Sequence, residues 1–113
     1  MKMNKSRILG GLALGLIGGW GVTLYATQEA PSDLYKQYCA KCHGDSGKAD
    51  TPKGQKMKAR DFTDAEWQEG EKDADLIQSV TEGKDDMPPF GKKLTKEQIE
   101  GLVKVVRDFA PKK

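Results

Sequence analysis

The pentapeptide Cys39-Ala40-Lys41-Cys42-His43 is the most restrictive motif in this sequence. Two cysteines three positions apart, followed directly by a histidine, form the pattern that attaches haem covalently. Each thiol can form a thioether with a haem vinyl group, and the short spacing then holds the imidazole of His43 at the iron as an axial ligand. A fold built on this motif has to surround a cofactor whose position is fixed by the chain itself.

The same five residues have three other interpretations, which the rest of the sequence disfavours. A thioredoxin-like redox pair needs a βαβ setting, and no such pattern occurs in the sequence. A closed structural zinc site needs four Cys or His ligands, whereas the chain has two cysteines and one histidine. A disulfide between Cys39 and Cys42 would close a very small loop and stabilise the fold little. Haem attachment is therefore the preferred interpretation.

The N-terminal residues differ in composition from the rest of the 113-residue chain. Three basic residues precede an uncharged, mostly apolar run from Ile8 to Gln28, an order typical of segments that direct export through a membrane. We therefore predict a signal-anchor or signal peptide in residues 1–28 and a monohaem domain in residues 29–113. The haem domain is expected on the periplasmic side of a bacterial cytoplasmic membrane.

Cleavage of this segment is left open by its sequence. Signal peptidase prefers small residues at two flanking positions, and the candidate sites ending at Ala26 and Ala30 have larger residues two positions earlier. The apolar run from Ile8 to Ala26 approaches the length of a helix that crosses a bilayer. We therefore favour a single-pass anchor, and a soluble periplasmic protein after cleavage is the alternative.

The pattern of residues 29–113 predicts helices separated by loops, without strands. We expect Ser32 to cap a first helix that begins at Asp33 and ends in the cysteine motif. The stretch from Gly44 to Met57 is rich in glycine and lysine, which favours a loop. A short helix is expected around Trp67.

Two further helices are expected in the second half of the domain. One runs from Asp73 to a stop at Gly83, and a proline-broken loop follows as far as Leu94. The last helix begins with the capping-box residues Thr95 and Gln98, and apolar residues at helical spacing form one face of it. Large apolar side chains are few for a domain of this size, so we expect haem to fill the interior and the haem-free domain to be largely unfolded.

The iron has a second axial position, which another histidine cannot fill because His43 is the only one in the chain. Methionine, lysine, water or an external ligand remain. Met87 is the strongest candidate, since Pro88 and Pro89 restrict the backbone after it and favour a loop that presents a thioether. Met57 lies in the earlier lysine-rich stretch. The alternative for Met87 is a side chain that only packs in its loop.

The haem-attachment motif near the domain start, the Met-Pro pair at Met87 and a closing amphipathic helix together resemble the small monohaem class I c-type cytochromes. The resemblance is to the membrane-anchored or secreted bacterial type. It implies an all-α fold in which the N- and C-terminal helices cross around one covalently bound haem c, here preceded by an N-terminal apolar helix. By position, Cys39 and Cys42 carry the haem thioethers, and His43 and Met87 are the axial iron ligands.

The resemblance also implies roles for residues near the cofactor. Trp67 and Arg60 correspond to residues that hydrogen-bond haem propionates, for which an indole N–H and a guanidinium are suitable donors. A core tryptophan and a solvated arginine are the alternatives. Pro52 corresponds to the proline whose carbonyl accepts the second ring N–H of the ligating histidine.

At the helix crossing, Tyr35 corresponds to an aromatic residue that packs between the terminal helices. Pro31 stands where many relatives have glycine, and Val105 where many have tyrosine. The resemblance therefore implies a crossing that survives with less aromatic packing.

The resemblance implies an electron carrier and not an enzyme with a bound substrate. Such a protein moves one electron between respiratory or photosynthetic partners, from a quinol-oxidising complex or another cytochrome to a terminal oxidase or reductase. A haem protein with an open sixth position that binds small gases or peroxide is the alternative. The small net charge of +2 and the lack of aromatic residues among the basic ones argue against nucleic acid.

Overall fold

The computed structural model of the chain describes residues 28–112. Within this range the helices are α1 (Pro31–Tyr38), α2 (Ala40–His43), α3 (Pro52–Met57), α4 (Ala65–Gly70), α5 (Asp73–Glu82) and α6 (Lys96–Asp108). The β pairing found among the described residues is one isolated bridge between Lys84 and Met87. The prediction of an all-α domain is therefore confirmed for residues 28–112.

The predicted export segment in residues 1–28 lies, apart from Gln28, outside the described residues. Among the helices that the structure describes, none combines the length and the apolar character that crossing a membrane requires.

The terminal helices α1 and α6 pack against each other, as the resemblance implied. Leu34 and Tyr35 of α1 are buried, and so are the residues of α6 at helical spacing, Ile99, Leu102, Val103 and Val106. A Cβ on Gly101 would lie 3.0 Å from Cγ of Pro31. The small residue at the crossing therefore sits on α6 and leaves room for the ring of Pro31.

The start of α1 differs from the prediction. Ala30 is the N-cap residue, and no side chain caps the helix. Pro31 is the first helical residue, a position where its missing N–H costs nothing and its fixed φ suits the helix. Ser32 therefore lies inside the first turn, and its assignment as the cap was wrong.

The stretch from Gly44 to Met57 was predicted as a loop, but its second half forms α3 (Pro52–Met57). Thr51 caps this helix by accepting from the backbone N–H of Gly54 at 2.9 Å. The Thr51 hydroxyl also lies 2.9 Å from the carbonyl oxygen of Lys41 and 3.0 Å from that of Cys42. One side chain therefore both starts α3 and docks it on α2.

The remaining helices begin and end close to where the sequence predicts. The carboxylate of Asp64 caps α4 by accepting from the backbone N–H groups of Glu66 and Trp67. Gly83 follows the last residue of α5 as its C-cap and has a φ of 82°, a conformation that glycine adopts without strain. The capping box of Thr95 and Gln98 is present at the start of α6.

The core lies around α6, which packs on both α1 and α5, and a cavity lies beside it. Its buried members are Leu34, Tyr35, Phe62, Leu76, Phe90, Leu94, Ile99, Leu102, Val103 and Val106.

Candidate haem site

A cavity of about 510 Å³ opens beside α2, and residues from all six described helices line it. A volume of this order is typical of cofactor sites. Four residues predicted to attach or ligate haem, namely Cys39, Cys42, His43 and Met87, line this cavity together. The fold therefore brings the attachment motif and the distant methionine to one site.

The two cysteines are half-buried free thiols in the cavity wall. Cys39 lies at the junction of α1 and α2 and is followed by the single helical turn of α2. Residues three apart on a helical turn face the same side, so both thiols can reach one group in the cavity. Burial, with a smaller contribution from Cys42, raises the pKa of Cys39 to about 11.

His43 is held with one ring nitrogen free for a metal. Its Nδ1 lies 3.0 Å from the carbonyl oxygen of Arg60, and a carbonyl can only accept, so Nδ1 carries the proton. Burial lowers the pKa of His43, although the same hydrogen bond acts in the opposite direction. The resulting neutral imidazole leaves Nε2 with a lone pair, the form that ligates iron.

The carbonyl that accepts from His43 is that of Arg60, and the assignment of this role to Pro52 was wrong. Pro52 is the first residue of α3, so its carbonyl points along the helix toward the residue four positions later. A backbone acceptor carries no signature of residue type, which is why matching a proline by position could not find it. The Arg60 residue also lines the cavity, and its predicted contact with a propionate stays a prediction.

Met87 lies in a tight turn that holds it at the cavity, in addition to the restriction that Pro88 and Pro89 place on the backbone. The backbone N–H of Lys84 donates to the carbonyl of Met87 at 3.1 Å, and the N–H of Met87 donates to the carbonyl of Lys84 at 2.8 Å. Asp85 between them has a φ of 51°. Gly83 lies directly against this turn, because a Cβ on it would be 2.7 Å from the carbonyl oxygen of Met87. The turn therefore fixes where the thioether enters the cavity.

A second methionine, Met57, lies at the end of α3 and also lines the cavity. The sequence placed it in a loop because the helix that carries it was missed. Two thioethers, those of Met57 and Met87, therefore line the cavity. Substitution of each methionine in turn distinguishes which one ligates the iron.

Phe62 is a site residue that the sequence did not single out. Its ring stacks on the ring of His43, with centroids 4.2 Å apart and planes 16° apart. The ring of Trp67 stacks on Phe62 as well, with centroids 5.4 Å apart. Phe62 and Trp67 both line the cavity. The signal that could have found Phe62 is a lone aromatic residue in an otherwise polar stretch before a helix cap.

Tyr35 joins the helix crossing to the end of the haem motif. Its buried hydroxyl donates to the carbonyl of Gly44 at 2.7 Å, and burial raises its pKa. Its ring packs on Phe109, with centroids 5.2 Å apart. Phe109 therefore supplies at the crossing the aromatic contact that Val105 does not.

A helical domain with crossing terminal helices, a cysteine pair and a histidine on a cofactor-sized cavity defines a c-type cytochrome, a class of proteins that uses haem for electron transfer. Residues 26–104 match the family described as cytochrome c oxidase, cbb3-type, subunit III. The chain belongs to this family, and it is a small monohaem class I c-type cytochrome that binds haem c covalently.

Individual relatives agree with this assignment. The chain is 31% identical over 72 residues to the cbb3-type cytochrome c oxidase subunit FixP of Azorhizobium caulinodans, a match that covers 63% of the chain and 23% of that relative. The chain thus spans about a quarter of the length of this curated relative. Among solved structures, the KustC0563 c-type cytochrome is 42% identical with a TM-score of 0.69, covering 74% of the chain and 100% of that protein. A tyrosine-to-phenylalanine variant of the same cytochrome is 40% identical with a TM-score of 0.66, covering 72% and 99%.

Proposed function

We propose that the chain is a one-electron carrier whose haem is attached at Cys39 and Cys42 and ligated by His43 and Met87. The observation that carries the proposal is that these four residues, from two distant parts of the chain, line one cavity. The donor set suits the group, since two thiols supply the attachment and a neutral imidazole and a thioether are ligands that c-type haem iron accepts.

The residues around the cavity set the conditions for electron transfer. When bound, the haem supplies an iron centre that cycles between ferrous and ferric states. His43 and Met87 bring no negative charge to the iron, and apolar walls such as Leu76 and Val103 disfavour the extra positive charge of the ferric state. The Arg60 carbonyl opposes this partly, because its hydrogen bond increases the basicity of the imidazole. A comparatively high reduction potential is the expected balance.

Trp67 and Arg60 are proposed as donors to the haem propionates. Both line the cavity, and each carries an N–H group that a carboxylate can accept from.

We further propose that the acceptor is a terminal oxidase or reductase and that the donor is a quinol-oxidising complex or another cytochrome. The relative named as a cbb3-type oxidase subunit supports a place next to such a complex. The basic-then-apolar order of residues 1–28 supports a position on the periplasmic side, held by a single-pass anchor. The chain acts in this proposal as a carrier and not as an enzyme with its own substrate.

Absorption spectroscopy of the haem-loaded protein tests the ligand set. For ligation by His43 and Met87 we expect a low-spin spectrum with an iron–sulfur charge-transfer band in the oxidised protein. In the reduced protein, the addition of carbon monoxide should leave the spectrum unchanged. Rapid binding of carbon monoxide would instead show an open sixth position and support gas or peroxide chemistry. Substitution Met57→Leu is the matched control, since it removes the other thioether of the cavity and should leave the band unchanged.

A further inference from the structure

We propose that Gln68 is a positioning residue for His43: it holds the Arg60–Phe62 segment against the imidazole and thereby sets the reduction potential. The inference rests on the proposed role of His43 as an axial ligand.

Gln68 is the buried polar residue of the described chain, with 7% of its surface exposed. Its Nε2 donates to the carbonyl oxygens of Phe62 and Val106, each at 2.8 Å. Its Oε1 accepts from a guanidinium nitrogen of Arg107 at 3.0 Å. The amide nitrogen of Gln68 thus faces two carbonyl acceptors, and its oxygen faces a guanidinium donor. Only this orientation of the amide satisfies all of these partners.

Arg107 holds this amide in place from α6. Its Nη1 also donates to the backbone carbonyl of Gln68 at 2.7 Å, and its Nη2 donates to the carbonyl of Glu71 at 2.6 Å. Its Nε pairs with the carboxylate of Asp73 at 2.8 Å. The guanidinium therefore fixes the connection between α4 and α5 to the last helix, and the Gln68 side chain with it.

The Arg60–Phe62 segment touches His43 at two points. The carbonyl of Arg60 accepts from Nδ1 at the ring edge, and the ring of Phe62 covers the ring face at 4.2 Å. Phe62 is itself held on both sides, because its N–H donates to the carbonyl of Gly47 at 2.7 Å and its carbonyl accepts from Gln68. Gln68 links this segment to α6 by hydrogen bonds, beside the stacking of Phe62 on Phe109, with ring centroids 6.1 Å apart.

Loss of the amide has a defined consequence at His43. The buried carbonyl of Phe62 would lose its donor, whereas that of Val106 would keep the N–H of Phe109 at 3.2 Å. An unpaired buried carbonyl is unfavourable, so the Arg60–Phe62 segment should shift toward water. The hydrogen bond from Nδ1 to Arg60 then weakens, and the imidazole becomes a poorer donor to ferric iron. The reduction potential should therefore rise.

The test uses Gln68→Met in the haem-loaded protein, a change that keeps the side-chain length and removes the hydrogen bonds. We expect the ratio of ferrous to ferric protein at a fixed ambient potential to rise about threefold, roughly 28 mV for a one-electron couple. The hyperfine-shifted NMR resonances of the His43 ring should move as well. Arg107→Lys, which leaves Gln68 in place but loosens its amide, should shift both readouts in the same direction by less.

Thr95→Ala is the matched control. It removes the cap at the opposite end of α6, so it should lower the melting temperature without moving the potential or the His43 resonances. Unchanged potential and resonances in both Gln68→Met and Arg107→Lys, beside a lowered melting temperature, would refute the positioning role. If Gln68→Met does not retain haem, Arg107→Lys alone decides. A failure of the proposed function would look different, since the unmodified protein itself would then lack the low-spin spectrum.

Discussion

Gly54→Ala tests whether the docking of α3 on the haem motif is as close as the structure shows. Gly54 lies inside α3, where alanine is intrinsically favoured over glycine by about 1 kcal/mol. A Cβ at this position would, however, collide with the backbone carbonyl of Cys42 and approach Oγ1 of Thr51 to 2.9 Å. Neither the Cys42 backbone nor the capping hydroxyl of Thr51 can turn away as a flexible side-chain end could. The destabilisation from this collision should therefore exceed the stabilisation that the higher helix propensity of alanine provides.

The magnitude follows from how far α3 has to move. Relief of the collision requires a displacement of about 1 Å, and overpacking of this kind costs about 1–3 kcal/mol, occasionally more. The same displacement stretches the contacts of Thr51 with the carbonyls of Lys41 and Cys42, which adds about 1 kcal/mol. After subtraction of the propensity gain, the free energy of unfolding should fall by roughly 2 kcal/mol.

Guanidinium unfolding of the haem-loaded protein, followed by far-UV circular dichroism, measures this difference. Gly70→Ala is the matched control, because a Cβ on Gly70 would meet no atom within 4 Å and should leave stability unchanged or raise it. A Gly54→Ala protein as stable as the Gly70→Ala protein would show that α3 does not pack on Cys42 as described.

Three further predictions concern the cofactor and the helix crossing. Met87→His should give a stable protein with a lower reduction potential, measured by redox titration, whereas Met57→Leu should leave the potential unchanged; the reverse result would assign the ligand to Met57. Tyr35→Phe removes one of the two donors to the carbonyl of Gly44, which keeps the N–H of Gly47, and should lower the free energy of unfolding by about 1 kcal/mol; no loss would mean that the hydroxyl adds nothing to the contact from Gly47. The haem-free polypeptide should lack a cooperative thermal transition in circular dichroism, and a native-like melt would contradict the role given to haem in the core.

Local signals predicted most of the helices. Asp64 caps the start of α4, Gly83 follows the end of α5 and Thr95 caps the start of α6, and the effect of each depends on neighbours a few positions away. Helix α3 was missed because glycine and lysine dominate its composition. Its main support comes from Thr51, whose hydroxyl bonds to carbonyls of α2 about ten positions earlier, and such contacts leave little trace in a local pattern.

The reactive groups of the site could be identified from the amino-acid order alone. The spacing of Cys39, Cys42 and His43 is contained in one turn of chain, and Met87 is marked by the prolines that follow it, so both could be read without the fold. These reactive groups are side chains of distinctive type at short separations, which is the information that a sequence carries directly.

The folded chain determines how these groups are held. It selected the carbonyl of Arg60 for His43, stacked Phe62 on the imidazole, brought Met57 to the cavity and joined Gln68 to α6. The physical reason is that a backbone carbonyl looks the same in every residue, and a packing partner is chosen by the path of the whole chain.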